Sequence, residues 1–380
     1  PRASRNIIIV PPNRGQYKSL WGGIVLFANL PIPGRRLPIG GIGRSMNKKQ
    51  MRALVAKFSG GGKSSPMMVS LFSGRYDDKH GDASSEEIYF VNSLEVGSCP
   101  YCGSESIRKD GFQKRTGMRC YECASCGRKF SPITGTIFDS KKIPISEWAE
   151  YLSHLFEFHS VATSSSDNMN ADSTGRYWLS KVFMVLRGYQ DPIVFSDLVW
   201  ADETYVPRWK SKRATKDGKG LRGLSRNQFA IYSLADGNKC FLKLVGVGKP
   251  SEAKAMKAYS GHIAKGSVFI HDGEKAHNIV IEKLGLIGET HKTDETKRLS
   301  DKDNPMEPIN KVHMELKKFL SRHGGYSREN LQDWLNLFAF IFNTPGDKLE
   351  KAQAFIEIAA KMRIELRYCE WKKKENDDSN

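Results

Sequence analysis

The chain has 380 residues, 59 Lys+Arg against 42 Asp+Glu, and a formal net charge of +17. That length holds two or three domains, each able to bury a core, and that charge favours polyanionic partners, nucleic acid first. The longest apolar stretch near the start, 21–32, is too short to span a bilayer, and nothing reads as a signal peptide, so a cytoplasmic protein without a membrane partner is expected.

Residues 1–45 are rich in Pro, Gly and Arg, show no sustained period and precede the first methionine, Met46. Together with the Gly/Ser-rich stretch 60–85 they read as a flexible or non-native segment, 1–85. A short helix is expected over 86–97. It leads into Cys99-Pro100-Tyr101-Cys102, which is answered by Cys123-Ala124-Ser125-Cys126. Two C-x-x-C pairs at this separation have the spacing of a structural zinc site, in which four thiolates hold tetrahedral Zn²⁺. Gly103 and Gly127 follow the pairs, where each knuckle needs a positive φ. Five of the seven cysteines fall between 99 and 126, which is metal usage and not a secreted disulfide framework. Cys120 makes a third C-x-x-C with Cys123, so the second knuckle has an alternative three residues earlier; Gly127 favours Cys123 and Cys126 as ligands. The zinc unit is assigned to 86–135.

Residues 140–192 read as a helical unit. Trp148, Leu152, Leu155 and Phe156 recur on one face of a helix over 145–159, and Trp178, Val182, Val185 and Leu186 on one face of a second. The Ser/Thr/Asn/Asp-rich stretch between them is a poor helix on propensity. Helix, polar connection, helix is compatible with a helix-turn-helix that would present Arg176, Tyr177 and Lys181 to DNA. A helical linker bundle is the competing reading.

The period changes to strands after 195. Runs at 198–206, 228–234, 240–247 and 267–271 are apolar or β-branched, and helical patterns at 251–262 and 276–284 flank the last. The order describes a mixed α/β domain with a central sheet over 195–345, followed by a C-terminal helix and charged tail over 346–380. Asp202 and Asp272 lie at or just past two of these strands. Carboxylates at adjacent strand ends converge above a sheet and offer hard oxygen ligands to divalent ions; an aspartate capping a turn, as in Asp236-Gly237, is the alternative. A further helix is expected over 308–323, with Pro308 in its first turn. Asn310, His313 and Lys317 share one face, while Glu315 lies about 140° round the helix from Asn310. Asn310 can give a carbonyl oxygen to a cation and Lys317 can contact phosphate; a solvated polar face is the competing explanation.

The motifs CPYCGS, CASCGRKFS with TGTIFDSKKIP, WADETYVP, IHDGEKAH, and INKVHMELKKFL with HGGYSRENLQDWLNLFAFIFN occur in this order between about 98 and 342. In them the chain resembles the bacterial insertion-sequence transposases that join a zinc ribbon and helix-turn-helix to a ribonuclease-H-like DDE domain, the ISXO-like group related to the Merlin superfamily. The resemblance implies DNA transposition, with Mg²⁺- or Mn²⁺-dependent cleavage of element ends and transfer into target DNA. It implies double-stranded DNA as partner, a homodimer or larger assembly on that DNA, and a nucleoid-associated location. Asp202 and Asp272 match the first two acids, and the third position with its following lysine falls on Asn310 and Lys317, a DDNK variant. Glu307 and Glu315 are the nearby carboxylates that would substitute for Asn310. Glu203 is expected on the opposite face of its strand.

Residues 207–226 carry eight basic residues and one acidic. Lys210, Lys212, Arg213 and Lys216 in this loop would track a DNA backbone, and Trp209 would stack on an unpaired base. Two other functions fit the sequence: a transposase-derived DNA-binding protein with a silent catalytic fold, which Asn310 favours, and a ribonuclease-H-like nuclease without strand transfer.

Overall fold

The computed structural model describes residues 18–21, 24–27, 83–139, 143–208, 228–296, 298–324 and 326–377. Within the segment expected to lack elements, β1 (Lys18–Trp21) pairs antiparallel with β2 (Ile24–Phe27).

Helix α1 (Ser85–Ser93) opens the described body, its first turn capped by Ser84 Oγ accepting from the Glu87 amide at 3.1 Å. It leads into an antiparallel three-stranded ribbon of β3 (Ile107–Phe112), β4 (Arg119–Cys123) and β5 (Lys129–Phe130). Tyr121 stacks on Phe130, and with Cys99 and Cys123 they form a small separate core. Helix α1 ties this ribbon to the helical unit: Asn92 Oδ1 accepts from the Arg119 amide at 2.6 Å, while Glu87, 1 % exposed, accepts from the Ile145 amide at 2.9 Å. Glu87 thus caps the helix that begins at Ile145, whose own N-cap, Pro144, makes no side-chain hydrogen bond.

The helical unit contains α2 (Ile145–Phe156), α3 (Val161–Asp167) and α4 (Asp172–Leu186). Trp148 stacks on Trp178 with centroids 4.3 Å apart, joining the two apolar stripes read from the sequence. The Ser/Thr-rich stretch, expected to be non-helical, forms α3. Ser160 Oγ caps it by accepting from the Thr163 amide at 3.1 Å, and Ser164 and Ser165 are buried. Tertiary contact outweighs propensity here: a Cβ on Gly175 would lie 1.7 Å from Ser165 Oγ, so only glycine lets α3 and α4 approach this closely.

Five strands make the second sheet, in the order β10 (Ile287–Thr290), β9 (Val268–His271), β6 (Leu198–Pro207), β7 (Gln228–Ala235), β8 (Cys240–Val247). β6, β7 and β8 pair antiparallel, whereas β9 and β10 run parallel to β6. This mixed α/β sheet is consistent with the ribonuclease-H-like fold that the resemblance implies. β10 is absent from the strands expected on sequence; it is short, exposed throughout and offers no apolar alternation. On one face lie α5 (Glu252–Tyr259) and α6 (Asn278–Leu284), whose Ala255, Tyr259 and Val280 share a core with Val199, Tyr232 and Phe269. A single turn, α7 (Thr293–Thr296), comes after β10. The other face carries α8 (Glu307–Arg322) and α9 (Leu331–Asn343), whose core also takes in Ile231, Leu242 and Ile270 of the sheet and Trp148 and Trp178 of the helical unit. Two C-terminal helices complete the chain: α10 (Lys348–Lys361), with Phe355 against Phe156 of α2, and α11 (Tyr368–Asp377), which covers α4. None of the described helices is long and apolar enough to cross a membrane.

His323, just past α8, is 5 % exposed, and its ring contacts Phe319 and Trp334 with centroids at 4.8 and 4.5 Å. Burial lowers its pKa from 6.5 to about 4. Between those values the unfolded chain binds a proton that the folded chain refuses, so stability falls as pH drops through this window. His323→Phe preserves the ring contacts without the titration, and should reduce the loss of stability between pH 7 and pH 4.5 in urea denaturation. An undiminished loss would assign it to other groups.

Candidate active site and cysteine cluster

The parallel register of β6 and β9 sets Trp200 opposite Ile270. Two residues further along each strand path stand Asp202 and Asp272. Side chains alternate between faces, so Asp202 belongs to the face of α8, the one that Ile270 buries, whereas Asp272 stands just past the end of β9, its carboxylate within 4.8 Å of donor atoms of His271 and His277. Glu203 and His271 belong to the opposite face. Each aspartate is fixed by a backbone donor: Asp202 Oδ1 accepts from the Glu203 amide at 2.8 Å, and Asp272 Oδ1 from the Glu274 amide at 3.0 Å. Desolvation raises the Asp202 carboxyl to about 7, with the Asp272 and Glu203 charges adding to it.

Asp202 lines a groove of about 750 Å³ together with Glu203, Thr204, Asn310, His313 and Lys317, whereas Asp272 is not among the lining residues. Helix α8 supplies the far wall because Ile309, Val312, Leu316 and Phe319 bury its other side. His313 Nδ1 stands 3.6 Å from Asp202 Oδ2, and its Nε2 is 3.0 Å from Ser233 Oγ on β7. Burial, then the Lys317 charge, lower His313 to about 3, so a neutral imidazole faces the carboxylate. Asn310 and Lys317 are exposed in the groove. Glu315 pairs with Lys318 at 2.7 Å and is not among the lining residues, and Glu307 occupies the first turn of α8.

Sequence reasoning missed the polar chain beneath the aspartates. Glu203 Oε1 meets His277 Nε2 at 3.1 Å, His277 Nδ1 meets His271 Nδ1 at 3.2 Å, and His271 Nε2 meets Thr290 Oγ1 at 3.2 Å. These buried contacts join β6, β9 and β10. Burial opposes charge on His277, but Glu203 overrides it and raises its pKa. The two histidines of IHDGEKAH were the available signal. They flank Asp272 closely enough that donor atoms of His271, Asp272 and His277 lie within 4.8 Å of one another.

In the ribbon, the Sγ atoms of Cys99, Cys102, Cys123 and Cys126 all lie within 4.8 Å of one another, with Cys99–Cys126 at 3.7 Å and Cys102–Cys123 at 3.6 Å. Zn–S bonds of about 2.3 Å place tetrahedral sulfurs about 3.8 Å apart, so the four thiols fit that ion. The knuckles repeat each other: Gly103 (φ 74°) donates to Cys99 O at 3.0 Å and Gly127 (φ 67°) to Cys123 O at 2.8 Å. Cys120 stands apart, its Sγ 3.8 Å from Tyr121 O.

The face of α4 expected to meet DNA is partly covered: Lys181 is buried and Tyr177 half-buried, while Arg176 stays exposed. Lys181 is 8 % exposed and donates to Ile137 O at 3.0 Å, so it is a buried tether and not a surface contact; its methylenes complete the core between Trp148 and Tyr177. Arg176 pairs with Asp172 at 3.0 Å and with Glu375 of α11 at 3.2 Å. Tyr177 donates to Leu366 O and contacts Tyr368 and Trp371. Trp209, Lys210, Lys212, Arg213 and Lys216 lie outside the described residues.

No protein-family model matches the sequence, and no curated protein matches it. Among solved structures, the chain is similar to the Mos1 mariner paired-end complex with Mn, at 12 % identity over 56 % of this chain and 75 % of that one, TM-score 0.25. A pre-cleavage Mos1 transpososome is matched at 12 % identity over 89 % of this chain and 99 % of that one, TM-score 0.24. The simian T-cell lymphotropic virus intasome in complex with PP2A regulatory subunit B56 gamma is matched at 10 % identity, 52 % and 69 % coverage, TM-score 0.26. Likenesses this low carry no argument, and the functional reading rests on the residues.

Two measurements test these sites. Cys126→Ser should release bound zinc and unfold residues 98–130, whereas Cys120→Ser should not; the reverse pattern would move the ligand set. For Asp202, the folded chain holds a proton up to about pH 7 that the unfolded chain releases near 3.8. Metal-free stability therefore falls as pH rises through that window. Asp202→Asn in EDTA should raise Tm at pH 8 and leave it nearly unchanged at pH 4. Mg²⁺ should stabilise the parent at pH 8 more than this variant. Equal shifts at both pH values would remove the strained carboxylate from the account.

Proposed function

We propose that this protein is a DDE-type DNA transposase of an insertion sequence, with a zinc ribbon and helical unit for end recognition and a ribonuclease-H-like domain for chemistry. The observation that carries this reading is the groove itself. Asp202 on β6 shares it with Asn310 and Lys317 of α8, and Asp272, just past the parallel neighbour β9, is near enough for its charge to act on Asp202. Asp202, Asp272 and Asn310 offer oxygen donors, which suit Mg²⁺ or Mn²⁺; burial, and after it the charges of Asp272 and Glu203, raise the pKa of Asp202, and a divalent ion would offset both. Bound there, such an ion would lower the pKa of an attacking oxygen and stabilise the leaving oxygen of a phosphodiester.

The chain's own residues then divide the remaining work. Asp202 and Asp272 would hold the ion, and the Glu203 and Glu274 amides that donate to them fix the orientation of both carboxylates. Asn310 adds a neutral oxygen, which leaves the site one charge short of a three-carboxylate set. Lys317, two turns along the same helix, meets a DNA phosphate as a point charge. His313 wedges between Asp202 and Ser233 and sets the distance of α8 from the sheet. The basic segment that follows the Asp202 strand in the sequence, with Lys210, Lys212, Arg213 and Lys216, would give salt-dependent affinity for the DNA backbone.

Asn310 also favours one other reading, a DNA-binding protein whose catalytic fold is silent. Strand transfer with the element's own ends separates the two. Asp202→Ala and Asp272→Ala should each abolish cleavage while DNA retention in a mobility-shift assay is largely kept. Asn310→Asp should retain or raise activity, and Asn310→Leu should lower it by about two orders of magnitude, the size of a lost positioning contact. A wild-type chain that retains DNA without nicking it in Mg²⁺ or Mn²⁺ establishes the silent alternative.

A further inference from the structure

A second group of metal-ligand side chains lies far along the chain from the cysteines, in the helical unit. His154 sits in the last turn of α2, His159 in the connection after it, and Asp167 at the end of α3. Their donor atoms all lie within 4.8 Å of one another; His154 Nδ1 is 3.8 Å and His159 Nδ1 4.0 Å from Asp167 Oδ2. The two imidazoles stack at 5.3 Å between centroids.

The backbone is bent to produce this meeting. Phe158 has φ 64°, a conformation that a bulky residue rarely adopts. The turn folds His159 back so that its amide donates to His154 O at 3.1 Å, while the Phe158 ring is driven against Phe319 at 5.0 Å. Met169, just beyond Asp167, has φ 52°. Left-handed non-glycine residues thus bracket α3 at both ends, beside the residues that carry the three donors. Strain of this kind gathers where a ligand is held.

The chemistry suits a borderline cation. His154 is 2 % exposed and neutral through burial, the form in which imidazole ligates. Lys348 pairs with Glu157 at 2.6 Å, and its charge adds to burial in keeping His154 neutral. Bonds of about 2.0–2.1 Å put tetrahedral ligands about 3.3 Å apart, a closure of under an ångström for His159 and Asp167, both partly exposed. We propose that His154, His159 and Asp167 form a second zinc site, with water in the fourth position, which locks the α2–α3 connection independently of the cysteine cluster.

The test counts metal in the full chain. In an Asp202→Ala/Asp272→Ala background, which removes the groove's own ligands and serves as the parent for every variant below, the chain should hold two zinc ions by mass spectrometry after equilibration with Zn²⁺ and removal of excess. His159→Asn and Asp167→Asn, both at partly exposed positions, should each hold one. Cys102→Ser should also hold one, and a Cys102→Ser/His159→Asn chain none. With Co²⁺, the histidine-site variants should keep the thiolate charge-transfer band and lose a visible absorption component that Cys102→Ser keeps. One zinc in this parent that Cys102→Ser removes would overturn the second site and leave the ribbon intact. Two zinc ions that persist in both His159→Asn and Asp167→Asn would also overturn it.

Discussion

Two carboxylates placed side by side on neighbouring strands repel each other, and most of this molecule is arranged so that they stay there. The parallel pairing of β6 with β9 brings the two chain paths together, with Asp202 on β6 and Asp272 just past the end of β9. Alternation along β6 sends Asp202 to the face of α8 and Glu203 to the other. The buried Glu203–His277–His271–Thr290 chain then stitches the three parallel strands together directly below. A slip of one residue in the pairing of β6 would turn Asp202 toward the α5–α6 core. The apolar residues that alternate with these polar ones, Val199, Ala201 and Phe269 on one face and Ile270 on the other, hold the register against that slip.

Helix α8 completes the groove from the other side, and its position is set by packing more than by any polar contact. It carries six buried residues, five of them apolar, and the sixth is His313. That core runs without a break into the helical unit, through Trp148, Trp178 and Phe156, so the groove and the helical unit share one apolar body. Glu87 extends the coupling to the ribbon by capping α2 from outside. A displacement of the ribbon would therefore uncover the amides at the start of α2, a cost of about 1–3 kcal/mol for each buried donor left unmatched.

Much of this was legible in the sequence where a short-range rule governs. Strand alternation located β6 to β9 within a residue or so. Helical spacing gave the stripes of α2, α4 and α8, and it separated Glu315 from the face shared by Asn310, His313 and Lys317. The C-x-x-C spacing found four sulfurs that do gather. Failures came where distant contacts decide. Gly175 makes room for Ser165, so a Ser-rich stretch of low propensity became α3. Lys181 looked like a DNA contact because its helical position is polar, but α11 and the loop before α2 close over it. The chemistry of α11 is charged and aromatic, and no local pattern says which surface it will cover. β10 is an edge strand with no apolar side, so its pairing depends on β9 alone.

The covering of α2 and α4 by the last two helices also imposes an order of events during synthesis. α2 and α4 are made well before α10 and α11, and every strand of the five-stranded sheet is made in between. Their contacts are among the most distant in sequence, and such contacts form late. Until α11 has been made, α4 lacks the cover that Trp371 gives Tyr177 and Ser180 in the finished molecule, whereas the Arg176 side chain keeps its exposure even beside Glu375.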